Sequence, residues 1–428
     1  MRLLPRLAAA LGLTLWAGLA VAQPVTIRMW MHEHPPRIAI DKALIAEFEK
    51  ANPDIKVQYD VISVAEYTTK LITAFAAGSG PDLFNNSSTL VSQYFAARIL
   101  APIDYAAMGY ADEAALLAKY QGGFDGIRFQ GKLYGVPTEV SNWACFANNA
   151  IWKEAGLDPA KDWPKTWEGL PAVAEKLTRR DQNGVPVRRG FDFNWAIPGT
   201  FWFTPNTMIH QLGTNMVDEE AYKAALDTPA AKRSFQFIQD WVVKLRLGGP
   251  QYTDSRTEFL AGKLGAECSF GIWGIPQMVN AKVDWTVLPA PRFEGAPSDN
   301  GLDAYAFYMM VNARSAPAVQ KAAWKLARFY TDHGADLFAG AGLFVPRGEV
   351  MESPAYKANT AAPFFVAELK KAKFSPRVVG YAQVLDAILR GRDRLVQGDK
   401  IDAVLPVMNE EVNAVMNRER ARAATLVK

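Results

Sequence analysis

Strand-like and helix-like segments alternate regularly over residues 25–100. The apolar run at residues 25–30 predicts a buried strand, and residues 36–52 have the apolar spacing of a helix. Strand-like runs at residues 55–63 and 81–85 are each followed by a helical pattern, at residues 65–78 and 89–100. A β-α-β-α order predicts a mostly parallel sheet covered by helices, so we expect an α/β fold.

The downstream pattern predicts a second unit of the same kind. Residues 123–137 alternate and turn at glycines, like a hairpin leading into a crossing strand, and a new strand–helix pattern starts near residue 142. Strand-like runs return at residues 264–270, 284–291 and 304–312, and the chain is mainly helical from residue 316. A chain of 428 residues exceeds one ordinary domain of roughly 150 residues. Because there is no low-complexity linker, we expect two lobes that share the chain.

The N-terminal segment has the pattern of a signal peptide. Arg2 and Arg6 precede an apolar run at residues 7–19, and a small-x-small pattern ends at Ala22. This predicts cleavage after Ala22 and export to the periplasm. The formal net charge is only +3, and the basic residues form no stripe along the sequence. Both features argue against nucleic acid as a partner.

Two cysteines, Cys145 and Cys268, lie in strand-like apolar runs. Export permits a disulfide between them, but free cysteine is also commonly buried in such runs. We favour two buried thiols, with a disulfide as the alternative.

His32, Glu33 and His34 follow the first predicted strand. Such a pair of histidines can bind zinc, but His210 and His333 lie in unrelated contexts and supply no further ligand. We therefore predict no metal and no cofactor. The favoured interpretation is a ligand-facing loop, because open α/β sheets bind ligands at the carboxyl ends of their strands.

Aromatic residues next to glycine and proline point to a ligand site. Several of the 12 tryptophans lie at such places, among them Trp143, Trp195 and Trp273. Aromatic rings pack on the C–H faces of sugars, whose hydroxyls need polar partners such as those at residues 85–88 and 138–142. For Trp273 we favour a ligand wall, and for Trp195 a wall and a core position are equally favoured. No nucleophile motif is present, but a pair of catalytic carboxylates stays possible on sequence alone.

Four ordered segments resemble the family 1 extracellular solute-binding proteins of ABC importers, the group of maltose-binding protein. They are LITAFAAGSGPDLF, GKLYGVPTEVSNWACFANNAIWKEAGL, PKTWEGLPAVAEKLT and FLAGKLGAECSFGIWG. The resemblance covers essentially the whole chain after the signal peptide. The sequence departs from the family pattern at Ala147, where tyrosine is common, and at Gly265 and Ala266.

The resemblance implies the two-lobed periplasmic-binding-protein fold (type II), in which each lobe is a mostly parallel sheet flanked by helices. Residues 23–137 and about 304–345 would form the N-terminal lobe, and about 138–303 with 346–428 the C-terminal lobe. The ligand-facing residues would be His32, Glu33, His34, Asn86, Ser87, Ser88, Ser141, Asn142, Trp143, Trp202, Phe203, Trp273, Asp303, Tyr305 and Arg347.

The function that the resemblance implies is binding without catalysis. A monomer would capture a carbohydrate between the lobes and deliver it to the permease of an ABC importer in the inner membrane. One alternative keeps the fold and changes the ligand to a polyol phosphate, a sulfonated sugar or another small solute. A more distant alternative is an exported carbohydrate-active enzyme.

Overall fold

The structure is a computed structural model that describes residues 24–425. The predicted signal peptide at residues 1–22 and its cleavage site lie outside this range. The strands are β1 (Val25–His32), β2 (Ile55–Ile62), β3 (Leu83–Ser87), β4 (Arg128–Phe129), β5 (Lys132–Leu133), β6 (Val136–Asn142), β7 (Ala144–Asn148), β8 (Arg179–Arg180), β9 (Pro186–Asp192), β10 (Val217–Asp218), β11 (Lys223–Ala224), β12 (Leu264–Phe270), β13 (Trp285–Leu288) and β14 (Ala304–Val311).

Helices cover both sheets and make up most of the chain after β14. They are α1 (Pro35–Ala51), α2 (Val64–Ala76), α3 (Val91–Ala96), α4 (Glu113–Leu117), α5 (Asn149–Glu154), α6 (Pro159–Asp162), α7 (Leu170–Leu177), α8 (Pro198–Gln211), α9 (Pro229–Val243), α10 (Ser255–Leu260), α11 (Ile275–Asn280), α12 (Pro317–Asp332), α13 (Gly334–Ala341), α14 (Gly348–Glu352), α15 (Pro354–Ala358), α16 (Ala362–Leu369), α17 (Tyr381–Val396) and α18 (Ile401–Thr425).

The first lobe is built on a five-stranded sheet of order β2-β1-β3-β14-β6. β1 pairs in parallel with β2 and β3, as the β-α-β-α pattern predicts. Its apolar side chains Ile27, Met29 and Met31 are fully buried, which explains why this run forms a central strand. β14 runs antiparallel to both β3 and β6, since it returns from the other lobe.

The second lobe is built on a five-stranded sheet of order β13-β7-β12-β9-β8. β12 and β9 are parallel, while β7 runs antiparallel to both β12 and β13. The chain enters this lobe directly after β6, with only Trp143 between β6 and β7. The predicted two-lobed α/β fold is therefore confirmed. The expectation of mostly parallel sheets was wrong: two of the four strand pairings in the first sheet and one of the four in the second are parallel, because β14 returns antiparallel in the first sheet and β7 and β8 run antiparallel to their neighbours in the second.

Local signals in the sequence explain several element ends. Thr228 caps α9 by accepting a hydrogen bond from the N–H of Ala231, as its position before Pro229 predicts. The helix expected over residues 89–100 is shorter: a 3₁₀ turn at Ser88–Leu90 precedes α3. Gly190 in β9 allows α7 to approach closely, because a Cβ there would lie 1.9 Å from the carbonyl oxygen of Ala174.

The expectation of two free thiols was wrong, because Cys145 and Cys268 form a disulfide. They lie on the neighbouring strands β7 and β12, at a bulge where two residues of β12 face one residue of β7. The two apolar runs do form strands, as predicted. It is their pairing, over a separation of 123 residues, that brings the two sulfurs together.

Within residues 24–425, no helix is both long enough and apolar enough to cross a membrane.

Trp195, for which wall and core were equally favoured, is a core residue: it is buried in the second lobe and stacks on Phe201 with ring centroids 5.0 Å apart.

Candidate ligand-binding cleft

A cavity of about 490 Å³ lies between the two lobes. On the first lobe it is lined by the carboxyl ends of β1 and β3, where an open α/β sheet is expected to bind ligands. The second lobe contributes aromatic residues and one arginine. Ten of the fifteen residues that the resemblance implied line this cavity: His32, Glu33, His34, Asn86, Ser87, Ser88, Trp143, Phe203, Trp273 and Tyr305.

The two histidines at the end of β1, His32 and His34, are held in place by different partners. The Nδ1 of His32 lies 3.3 Å from the amide oxygen of Asn85, whereas the Nε2 of His34 lies 3.1 Å from the carbonyl oxygen of Ala341. Burial lowers the pKa of His34 to about 4, and burial together with Arg37 lowers the pKa of His32 well below 6.5. Both rings are therefore neutral at pH 7.

No metal site forms around these histidines. Among the residues that the structure describes, no group of three or more histidine, cysteine, aspartate or glutamate side chains could hold a metal ion. Glu33, between the two histidines, is exposed and lines the cavity, so its carboxylate is available to a ligand.

The end of β3 presents amide and hydroxyl groups to the cavity. The amide of Asn86 donates to the hydroxyl of Tyr94 at 2.8 Å, and its oxygen accepts from the backbone N–H of Ser87 at 2.7 Å. The hydroxyls of Ser87 and Thr89 lie 2.6 Å apart. Because these groups are ordered by one another, they form a preorganised polar side of the cavity.

An aromatic cluster forms another side of the cavity. Trp143 stacks on Phe203 with centroids 4.6 Å apart, and its centroid lies 4.8 Å from that of Tyr305. Trp273 is perpendicular to Trp143 at 6.3 Å. These four rings come from β14, α8 and the segments after β6 and β12, so both lobes and both crossing strands contribute to one wall.

Glu139 lines the cavity and was not predicted. Its Oε1 accepts a hydrogen bond from the hydroxyl of Tyr305 at 2.7 Å. Burial raises the pKa of this carboxyl to about 7, against the opposing effects of the Tyr305 hydrogen bond and Arg37. The sequence did contain one signal for Glu139: it lies two residues before Ser141 on the predicted crossing strand, and alternate residues of a strand share a face.

Arg256 is another lining residue that the sequence did not indicate. Its guanidinium carbon lies 5.0 Å from the ring centre of Trp273 and 5.3 Å from that of Trp143. Nε donates to the carbonyl oxygen of Ser269 at 2.8 Å. Arg256 lies at the start of the short helix α10, three residues before the quoted segment that begins at Phe259, and is itself part of no motif.

Three of the other five implied residues do not line the cavity, and their polar groups are occupied by protein partners. The indole N–H of Trp202 donates to the hydroxyl of Ser375 at 3.2 Å. Asp303 accepts from the amide of Asn206 at 2.7 Å, among other partners. Arg347 forms ion pairs of 2.9 Å with Asp332 and Glu349.

The last two implied residues, Ser141 and Asn142, lie at the end of β6. Both are buried, and they border a smaller neighbouring cavity lined by Phe344 and Phe365. The amide of Asn142 donates to the carbonyl oxygen of Trp143 at 2.9 Å. Asn142 thus helps to hold the segment that carries Trp143, but it does not face the larger cavity.

Comparisons with known proteins agree on one family. The family model described as bacterial extracellular solute-binding protein matches residues 34–336. A lactose-binding protein of Rhizobium radiobacter is 23% identical over 307 residues, which are 68% of this chain and 67% of that protein.

Solved structures show the same fold. An ABC substrate-binding protein from Listeria monocytogenes, in complex with cycloalternan, superposes with a TM-score of 0.79 at 21% identity, covering 92% of this chain and 100% of that one. An ABC transporter solute-binding protein from Thermotoga lettingae, bound with alpha-D-tagatose, gives a TM-score of 0.79 at 20% identity, covering 92% and 100%.

Proposed function

The chain belongs to the bacterial extracellular solute-binding protein family, and from this premise we propose that it captures a carbohydrate between its lobes and delivers it to the permease of an ABC importer. The observation that carries the proposal is the aromatic wall of Trp143, Phe203, Trp273 and Tyr305, which lines one cavity together with the polar ends of β1 and β3. A sugar has both kinds of surface: C–H faces for rings, and hydroxyls for amide, hydroxyl and carboxylate groups.

The size of the cavity and the position of its polar groups also support a small carbohydrate. A volume of about 490 Å³ lies within the ordinary range for small-molecule sites, roughly 300–1,000 Å³. A micromolar site needs a net binding free energy of about 8 kcal/mol. Stacked rings and several hydrogen bonds can supply this after the cost of ordering the ligand. The relatives in complex with cycloalternan and alpha-D-tagatose are consistent with this class of ligand.

The proposed function rests on a conformational change, the closure of the two lobes on the ligand, and not on a chemical reaction. A ligand favours closure only if it makes more contacts with the closed form than with the open form. Contacts with both lobes provide that difference, and the closed shape is what a permease would recognise. We propose export to the periplasm with cleavage after Ala22, action as a monomer, and lobes that comprise residues 23–137 with about 304–345 and about 138–303 with 346–428.

The experiment is a thermal-shift screen of neutral and acidic mono- and oligosaccharides and their phosphates against refolded, ligand-stripped protein. Binding to the folded state stabilises it by RT ln(1 + [L]/Kd), so the Tm rises with the logarithm of ligand concentration once this exceeds Kd. Reaction products are measured in the same samples. Saturable stabilisation without products supports the proposal, whereas turnover of a glycoside or the absence of any saccharide ligand contradicts it.

A variant pair tests the aromatic wall. Trp273→Ala removes a ring that would cover roughly 60 Å² of apolar ligand surface, or about 1.5 kcal/mol, which corresponds to a tenfold loss of affinity. We expect the ligand concentration that produces a given rise in Tm to be about tenfold higher for this variant than for the wild type. Trp163→Ala is the matched control, since Trp163 is also partly buried but does not line the cavity. Equal affinity of Trp273→Ala and wild type would remove Trp273 from the site.

A further inference from the structure

Arg256 differs from the buried arginines of this chain. Arg37, Arg189, Arg347 and Arg392 each form an ion pair of at most 3.1 Å with a carboxylate. Over residues 24–425, by contrast, no carboxylate oxygen lies within 4.0 Å of the Arg256 guanidinium. Among the residues that line the cavity, Arg256 is the one arginine or lysine, and no carboxylate of the described chain contacts its guanidinium.

The hydrogen bonds of Arg256 orient it without using all its donors. Nε and Nη2 both donate to the carbonyl oxygen of Ser269, and Nε also approaches the Ser269 hydroxyl at 3.3 Å. For Nη1, no acceptor is found in the part of the chain that the structure describes. A guanidinium has five N–H donors, so one edge of the fork remains for a ligand.

The rings around Arg256 hold the guanidinium in the cavity wall. Its carbon lies 5.0–5.8 Å from the ring centres of Trp143, Phe270 and Trp273. These faces already interact with a cation, so a cationic ligand would meet both repulsion and occupied aromatic faces. The cluster therefore disfavours amines and favours a group that carries negative charge.

The Glu267 carboxylate, which opposes the lowering of the Arg256 pKa more than Asp254 does, does not take the place of such a group. Glu267 uses Oε2 to accept from the backbone N–H of Ser269 at 2.9 Å and from its hydroxyl, while its Oε1 is buried without a partner. Burial raises the pKa of Glu267 to about 7, so its charge is incomplete at neutral pH. Burial also lowers the pKa of Arg256, which is the direction expected for a cation that lacks full compensation.

We propose that Arg256 is a specificity residue that binds a carboxylate of the ligand, so that the preferred carbohydrate is a sugar acid rather than a neutral sugar. This inference rests on the proposed function, because it assigns the ligand class of the same cavity. A single carboxylate matches a planar fork with one free edge. A phosphate dianion fits less well, since one guanidinium would face it while Glu33 and Glu139 line the first-lobe side.

Calorimetric titration of matched pairs tests the inference. The probes are D-glucuronate against D-glucose, D-galacturonate against D-galactose, digalacturonate against galactobiose, and glucose 6-phosphate. A charge-assisted hydrogen bond predicts that the wild type binds one acid about 10- to 100-fold more tightly than its neutral partner. In Arg256→Met, which keeps an apolar side chain against the rings, this ratio should fall to near one. In Arg256→Lys, which keeps the charge without the fork, it should be intermediate.

The control is Arg292→Met, an exposed arginine outside the cavity, which should retain the wild-type ratio. A wild type that binds the neutral sugar as tightly as the acid, or prefers the phosphate ester, overturns the inference and leaves the proposed function intact. An unchanged ratio in Arg256→Met also overturns it. If no saccharide binds, the proposed function fails as well. Should Arg256→Met not fold, the ratios of wild type and Arg256→Lys still decide.

Discussion

Glu139 should make the stability of the unliganded protein depend on pH in a direction opposite to that of a surface ion pair. Its carboxyl is buried between the lobes, where the hydroxyl of Tyr305 donates to it at 2.7 Å. Burial raises its pKa from 4.5 to about 7. Between these values the folded state holds a proton that the unfolded state releases. The free energy of unfolding therefore falls as the pH rises through this window and levels off above it.

The size of the effect follows from the two pKa values. For one group that titrates at 4.5 when unfolded and at about 7 when folded, proton linkage gives a loss of about 2.5 kcal/mol between pH 5 and pH 8. Glu139→Gln removes the titration and keeps an oxygen that can accept from Tyr305. The difference in unfolding free energy between Glu139→Gln and wild type should therefore shift by about 2.5 kcal/mol in favour of the variant over this range.

Urea unfolding at pH 5 and pH 8, followed by tryptophan fluorescence, measures this difference. The comparison is a double difference, so all other titrating groups cancel. Glu220→Gln, which replaces an exposed carboxylate, is the control and should show no such shift. If Glu139→Gln and wild type differ by the same free energy at both pH values, Glu139 is not buried in the protonated form and the reasoning is refuted.

Two further predictions concern the second lobe. Cys145→Ala with Cys268→Ala should cost roughly 5 kcal/mol in the chain-entropy account, because the bond spans 123 residues. Guanidinium unfolding with and without reductant checks this, and an unchanged wild-type midpoint in reductant would mean that no bond forms. Gly190→Ala should lower the free energy of unfolding by about 1–3 kcal/mol or more, since the new Cβ would lie 1.9 Å from the carbonyl oxygen of Ala174. Gly348→Ala is the matched control in the same urea assay, since the nearest atom to its new Cβ would be the side-chain Nε2 of Gln121 at 3.9 Å, and equal losses in both variants would contradict the close approach.

The sequence predicted those parts of the fold in which a local pattern determines the outcome. The apolar run of β1 is buried on all the positions that periodicity indicates, and Thr228 caps α9 because a threonine before proline is a local signal. The order of strands and helices then follows from chain continuity and short connections. For the same reason, the loops after β1 and β3 could be assigned to one edge of the sheet.

Contacts between distant segments could not be read in the same way. Asp303 has the same local features as a ligand-facing residue, but its partner Asn206 lies 97 residues away in the chain. Cys145 and Cys268 meet only because β7 and β12 pair in one register with a bulge. Arg256 lacks any motif. In each case the decisive fact is a register or a tertiary contact, and a single sequence carries no pattern for either.

The site residues on the crossing strands suggest how binding and closure are joined. Tyr305 of β14 pairs with Ser141 of β6, so the ring, the Glu139 carboxyl on β6 and the Trp143 that follows it belong to one pair of strands. These same strands carry the chain from one lobe to the other. A ligand that stacks on Trp143 and Tyr305 therefore touches the connection itself as well as both lobes. A change in the angle between the lobes must move these rings relative to β1 and β3, so ligand contacts and lobe orientation cannot vary independently.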